Sequence, residues 1–305
     1  GKSLIAVQTA ICERQKGLSV EFICRSAIFA ESVRERLERY EVRVNHLENI
    51  RDNPGQQSDC LVVDEAQDMM TMDFLQLFTD RLENGIEMGR WRFFMDSNNQ
   101  VGVYGDYEKD AHEYLKNNSF SLKLTTNCRN TAQIIKQTQL MTGADIGTSR
   151  FEGDGEKVKS EKYKSREDCV ALIVNQLNEW RNNDVNPEDI IILSGRTIGD
   201  SCVNHLGQYW KSKLYVLDET NINSRPRGKI GFCEIDAFKG LERWYIMIVD
   251  LEQMSRKTDQ ISRLYVALTR ANAVLWIALP EEKHALIEEI KSENFQKMIT
   301  NNASS

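Results

Sequence analysis

The chain reads as an α/β protein of two domains built on parallel sheets. Three observations predict this. Short apolar runs rich in β-branched residues alternate with longer amphipathic stretches through both halves, the pattern of strand–helix–strand units. Polar or acidic residues stand at the C-terminal ends of several runs, where open α/β sheets bind ligands. The 305 residues, 41% of them hydrophobic, suit two cores of ordinary size. The expected division is residues 1–119 and 120–305. No repeat of fixed short period is present.

Composition narrows the function classes. The net charge of −7 counts against a broad basic face for nucleic acid, though not against a narrow groove with local Lys and Arg. No apolar run approaches the roughly 18 residues of a membrane span. No basic segment leads into an apolar signal stretch. The seven cysteines, at 12, 24, 60, 128, 169, 202 and 233, form no C-x-x-C pair. That argues against a zinc site or a disulfide framework and suits a reducing, cytoplasmic setting.

The chain opens with Gly1-Lys2-Ser3 and an apolar-periodic stretch, Leu4, Ile5, Val7, Ala10 and Ile11. The tripeptide matches the tail of the phosphate-binding loop G-x-x-x-x-G-K-[ST], in which backbone N–H groups and a helix N-terminus hold phosphate oxygens. By itself it is short enough to arise by chance. It also implies a chain cut inside that loop, with the strand before it absent. Residues 19–24 read as a strand and 27–40 as an amphipathic helix, an ordinary βα unit. Residues 53–58 are a loop. Leu61-Val62-Val63 then reads as a buried strand, followed by Asp64-Glu65-Ala66-Gln67-Asp68. On an extended backbone Asp64 and Glu65 diverge. One carboxylate could hold a hydrated Mg²⁺ while the other handles a nucleophilic water, a division of labour suited to nucleotide hydrolysis. The plainer alternative is a strand running into an acidic turn. Residues 74–82 read as a helix and 91–96 as a strand ending in Asp96. Asp96 to Gln100 is either a sensor of the γ-phosphate or an Asx-rich turn.

In the second half, residues 122–125 read as a strand and a helix starts at Thr131. Between them, Arg129 is either a surface arginine or a fixed positive fork for a transferring phosphoryl group. Residues 142–164 read as a loop, with 156–160 the candidate strand within it. Helices are expected over 168–180, 201–211, 262–270 and 281–297. Strands are expected over 189–193, 213–217, 230–235, 244–249 and 273–279. Gly240 stands between two strands, where a tight turn needs its freedom. Residues 300–305 are polar and expected to fray.

Taken in order, Gly1-Lys2-Ser3, Asp64-Glu65-Ala66-Gln67-Asp68, Asp96 to Gln100, Asn127-Cys128-Arg129-Asn130, Phe238-Lys239-Gly240-Leu241-Glu242 and Tyr265-Val266-Ala267-Leu268-Thr269-Arg270-Ala271 resemble the core of a superfamily 1 DNA helicase of the UvrD/PcrA/Rep type. They look most like the compact helicase modules associated with nuclease-related (NERD) domains. The resemblance covers nearly the whole chain and implies two RecA-like P-loop NTPase domains, the first lacking its first strand. Domain 1A would be residues 1–119 and domain 2A residues 120–305. It implies ATP hydrolysis with ATP and Mg²⁺. Gly1, Lys2 and Ser3 would bind phosphates, Ser3 and Asp64 would hold Mg²⁺, and Glu65 would activate water. Gln67 and Gln100 would sense the γ-phosphate. Arg129 and Arg270 would reach it from the second domain. Gly240 would shape the loop from which Glu242 contacts the nucleotide. Arg25, Ser26, Phe238 and Lys239 would line a groove for single-stranded DNA, or for RNA.

The departures are specific. Cys128 stands where larger relatives carry a tyrosine that stacks on adenine. The run Asp96 to Gln100 is one residue longer than D-x-x-Q, so Asn99 could take the role of Gln100. Only 60 residues lie between Ser3 and Asp64, and 106 between Arg129 and Asp236, leaving little room for large insertions. A domain N-terminal to this chain is the expected partner. Two readings follow: a single-strand translocase or helicase, or a nucleotide-gated regulatory ATPase module of a larger nuclease or defence protein that unwinds nothing.

Overall fold

The computed structural model describes residues 1–53, 55–96, 107–224 and 226–303. The chain separates into two compact units, Gly1–Leu124 and Thr125–Ser305.

The first unit runs α1 (Lys2–Gln15), β1 (Val20–Cys24), α2 (Ala27–Glu38), β2 (Arg43–His46), α3 (Leu47–Asp52), β3 (Cys60–Val63), α4 (Met72–Arg81), α5 (Gly85–Met88), β4 (Arg90–Phe93) and α6 (Lys109–Asn117). Its four strands form a wholly parallel sheet in the order β2-β1-β3-β4. Side chains alternate across a strand. Ile23, Leu61 and Val63 therefore share one face, where Leu47, Ile50, Phe74, Phe78 and Leu115 cover them. Phe22, Cys24, Cys60 and Val62 point the other way, and α1 and α2 pack against these strands. Both β1 and β3 are buried throughout, as parallel strands with two covered faces must be. β4 at the edge is half exposed.

One buried ion pair ties this unit together. Glu21 and Arg81 are 0% and 4% exposed at the side chain. Arg81 donates through Nε and Nη2 to Glu21 at 3.3 and 2.6 Å, and through Nη1 to the Asn53 carbonyl at 2.7 Å. Asn45 Nδ2 donates to the same carboxylate at 2.6 Å. The pair thus joins β1, β2, α4 and the 53–57 loop. Gly55, at φ +69°, lies so close that a Cβ there would meet the guanidinium at 2.4 Å.

The second unit runs β5 (Thr126–Asn127), α7 (Ala132–Thr142), β6 (Thr148–Ser149), β7 (Lys159–Tyr163), α8 (Arg166–Asn182), β8 (Ile190–Ser194), α9 (Gln208–Lys213), β9 (Leu214–Val216), β10 (Ile230–Glu234), β11 (Arg243–Val249), α10 (Thr258–Thr269), β12 (Ala271–Pro280) and α11 (Glu281–Ala303). Six strands form a parallel sheet ordered β7-β12-β11-β8-β10-β9, and β5 pairs with β6 apart from it. Ile190, Ile192, Met247, Val249 and Trp276 face Ile173, Leu177, Trp180 and Trp210. On the other side α7, α10 and α11 pack against β12.

Several boundaries differ from the sequence reading. No strand forms over 122–125; Phe120, Leu122 and Leu124 are exposed, and pairing starts only at Thr126. The strand expected over 156–160 lies three residues later, set by its pairing with β12. The helix expected over 201–211 is a 3-10 turn, Cys202–His205, and then α9; Leu206 and Gly207 adopt extended backbone between them. α11 runs through Ala303, and residues 304–305 of the stretch expected to fray lie outside the described residues. β2, α3, α5 and α6 have no counterpart in that reading. β2 carries one buried apolar residue, Val44, so it shows no run to detect.

The Glu21–Arg81 pair makes a prediction. Arg81→Met leaves a buried carboxylate without its cation and should destabilise the protein by about 3–5 kcal/mol, seen as a lower urea midpoint. The double variant Glu21→Met/Arg81→Met should recover part of that loss.

Candidate functional site

In the first unit, the residues singled out by the sequence gather at the carboxyl ends of β1, β3 and β4. α1 begins at Lys2, with Gly1 as its N-cap. Lys2 Nζ pairs with Asp96 Oδ2 at 2.9 Å. β3 ends at Val63, and Glu65 turns to the left-handed region (φ 53°, ψ 39°). Asp64 and Glu65 are therefore not consecutive residues of an extended strand, as the sequence reading supposed. The turn redirects the chain into a 3-10 segment, Ala66–Met69. Gln67 spans the site. Its Nε2 donates to Glu65 Oε2 at 2.6 Å, and its Oε1 accepts from the Asp96 backbone N–H at 2.9 Å.

Asp64 is wholly buried. Its Oδ1 accepts from the Glu65 N–H at 3.1 Å, while Oδ2 has no hydrogen-bond partner among the described residues. Burial, and then the neighbouring Glu65 charge, push its carboxyl up to about 6; Ser3 and Lys2 pull the other way. A buried carboxylate oxygen without a donor, with a serine hydroxyl nearby, is a donor set suited to a hydrated divalent cation. No group of three or more His, Cys, Asp or Glu among the described residues is placed to hold a metal. Mg²⁺ does not require one, since it keeps several waters and takes oxygens from substrate phosphates.

Arg25 and Ser26 lie at the end of β1. Arg25 Nη1 donates to the Asp68 carbonyl at 3.2 Å. Ser26 caps α2, its hydroxyl accepting from the Phe29 N–H at 3.2 Å. Gln100 lies outside the described residues, as do Ser97, Asn98 and Asn99.

The second unit gathers its own set around the start of β11 and the end of α10. Gly240 has φ +88°, so the turn needs its freedom. Phe238 and Lys239, expected to line a groove, are 0% and 5% exposed. The Phe238 ring is therefore core, and no face of it is open to a stacked base. Glu242 is half-exposed and accepts from Arg129 Nε at 2.5 Å and from Asn272 Nδ2 at 3.5 Å. Burial works to raise its pKa, but the Arg129 charge and hydrogen bond hold it below the usual value. Arg270 is buried, and its guanidinium donates to the Val266 and Leu241 carbonyls and to Thr269 Oγ1, at 3.1, 3.5 and 3.0 Å. Cys128 is exposed. Asn127, Asn130 and Asn272 complete this set; only the first two fall within a motif, and neither draws notice from charge or hydropathy. A shallow cleft at the carboxyl ends of β8, β10 and β11, lined by Gly195, Ile235, Asp250, Met254, Arg263 and Leu264, holds none of the expected residues.

Comparison with models of protein families finds no match, and comparison with curated proteins finds no relative. Solved structures are similar in fold. S. cerevisiae Dbp5, as a variant bound to RNA and ADP BeF3, matches with TM-score 0.56 and 12% identity over 91% of this chain and 75% of that one. Arterivirus nonstructural protein 10, a helicase, matches with TM-score 0.51 and 13% identity over 95% of this chain. Its complex with DNA matches at 0.50 and 12%. The chain spans 59% of the arterivirus protein's length. Identities this low speak for the fold alone: the parallel α/β architecture expected from the sequence is that of helicase cores. No helix among the described residues is long and apolar enough to cross a membrane.

Asp64→Asn removes a buried charge in a side chain of the same shape. It should stabilise the protein by about 1–2 kcal/mol at pH 7 in a thermal melt without divalent cations. The sign of the pH dependence follows from the raised pKa. Between the ordinary value of 3.8 and about 6 the folded state binds this proton more tightly than the unfolded chain. The contribution of Asp64 to stability therefore falls as pH rises through that window, and the variant should lose this slope.

Proposed function

We propose that the chain is the core of an ATP-dependent DNA helicase or translocase of superfamily 1, UvrD-like, which couples ATP hydrolysis to movement on single-stranded nucleic acid. The observation that carries this reading is the meeting of Lys2, Ser3, Asp64, Glu65, Gln67 and Asp96 at one carboxyl edge of a parallel sheet, the place where such sheets bind nucleotides. The helicase fold supports it.

The chemistry follows from the groups. Lys2 and the N-terminus of α1 hold the β/γ-phosphates, so Lys2 exchanges Asp96 for phosphate oxygen. Ser3 and Asp64 would hold Mg²⁺, for which the Oδ2 of Asp64 is available. Bound there, Mg²⁺ would neutralise charge on the phosphate oxygens. Glu65 accepts a proton from water as its oxygen attacks the γ-phosphorus; the bond to the bridging oxygen breaks and ADP leaves. Gln67 joins Glu65 to the Asp96 backbone, so loss of the γ-phosphate is felt at the end of β4. In the second unit, Arg129 and Arg270 are the guanidinium groups that the resemblance assigns to the charge of a phosphoryl group. In this conformation Glu242 and backbone carbonyls occupy them.

Arg25 and Ser26, at the same carboxyl edge, are the residues of the first unit assigned to a nucleic-acid strand. Binding is mainly to backbone and therefore salt-sensitive. The burial of Phe238 and Lys239, with the net charge of −7, favours the second reading: a nucleotide-gated regulatory ATPase module without unwinding activity.

In the intact protein, single-stranded DNA should stimulate ATP hydrolysis, and Glu65→Gln should lower that rate by roughly 10²–10⁴-fold. Displacement of a labelled strand from a partial duplex separates the readings. Hydrolysis without displacement selects the regulatory module, and no response to any nucleic acid removes translocation.

A further inference from the structure

Resting on the reading of the second unit as the arginine-bearing part of an ATPase, we propose that Asn130 is a positioning residue that seats Arg129 and Arg270 as one unit. Asn130 is 2% exposed. Its Nδ2 donates to the Ala271 carbonyl at 2.7 Å and to the Thr269 carbonyl at 3.1 Å, the residues on either side of Arg270. Both N–H bonds of one amide are thereby spent on the α10–β12 junction. Its Oδ1 accepts from Asn127 Nδ2 at 3.0 Å. Asn127 Oδ1 in turn accepts the backbone N–H groups of Arg129 and Asn130, at 2.9 and 3.0 Å. A continuous chain of hydrogen bonds runs from the Arg129 backbone through two side-chain amides to the peptide groups flanking Arg270.

The chemistry of the position is narrow. Two carbonyls and an amide N–H face the side chain, so the group there must donate twice and accept once. Among short side chains, the asparagine amide meets that need. Aspartate, identical in shape, would set a buried carboxylate against two carbonyl oxygens. Serine offers one donor. The backbone also arrives constrained: Ser149 Oγ donates to the Asn130 carbonyl at 3.0 Å, and Thr131 caps α7 immediately after. Asn130 therefore has little freedom to follow a displaced partner. Buried networks of this kind hold geometry tightly, because water cannot replace a lost partner.

The two arginines are held differently at their guanidinium ends, Arg129 by Glu242 and Arg270 by carbonyls and the Thr269 hydroxyl. What they share is the backbone seat. A group 1 Å out of place can cost on the order of 10²-fold in rate without changing substrate affinity set elsewhere. Asn130 touches neither nucleotide nor phosphate in this assignment; it acts through the arginines.

The test uses the intact protein and steady-state ATP hydrolysis with single-stranded DNA. Asn130→Asp and Asn130→Ala should lower kcat by roughly 10²-fold, leaving the KM for ATP within about twofold of the parent value. Asn130→Ser, with one donor kept, should recover part of that loss. In an Arg129→Ala/Arg270→Ala background, Asn130→Ala should cost nothing further, since the groups it seats are gone. An Asn130→Ala protein with kcat near the parent value overturns the proposal. So does a loss that adds in full to the double-arginine variant, or a rise in KM at unchanged kcat. The Asn130→Ser variant and the background comparison keep the test valid if the aspartate variant does not fold. A parent protein without ATPase activity overturns the functional reading and this proposal with it, whereas an active parent indifferent to Asn130 overturns this proposal alone.

Discussion

Asp64 carries one carboxylate oxygen with no hydrogen-bond partner among the described residues, at the end of a strand buried along its whole length. Such an arrangement costs free energy in the folded chain and is tolerated where a bound cation offsets it. The second unit supplies a contrast. Asp250 occupies the corresponding place after β11 and is also buried. There Ser194 and Ser201 donate to Oδ2 at 2.5 Å each, and the Cys202 N–H donates to Oδ1 at 3.0 Å. One acid is closed by the protein; the other is left open. That difference separates a structural carboxylate from a candidate ligand.

The parallel sheets set where such groups can be. Helices cover both faces, so neither face of β3 or β8 offers room for chemistry. Strand ends escape this. Backbone groups there leave the ladder, and turns can hold unusual conformations such as that of Glu65. Lys2, Arg25, the Asp64–Gln67 stretch and Asp96 come from four separate places in the sequence. The register of β1, β3 and β4 brings them to one edge.

The two arginines of the second unit are held in different ways. Arg129 is paired with a half-exposed acid, a contact that a phosphate could replace at modest cost. Arg270 instead donates to backbone carbonyls in a buried setting, where each lost hydrogen bond must be made good. The two arginines thus differ in how readily they can be released.

Much of this was legible in the residues alone. Alternation of β-branched runs with amphipathic stretches marked the central strands and most helices, because both sheets bury those strands on two faces. The edge elements escaped: β2 buries a single apolar residue, and the run Phe120, Leu122 and Leu124 has a strand's alternation yet stays exposed and unpaired. The residues proposed for chemistry, among them Asp64, Glu65 and Arg129, stand out by type and order. Tertiary structure decided their condition. Phe238 and Lys239, expected at a groove, are buried. Hydrogen bonds across 139 and 141 residues joined Asn130 to the ends of Arg270, and a neutral amide leaves no trace of such a bond in charge or hydropathy. The sequence determined which groups are present and in what order, since that is a matter of composition along a line. Only folding decided which of them are satisfied and which left open, since solvation depends on neighbours that the line does not hold together.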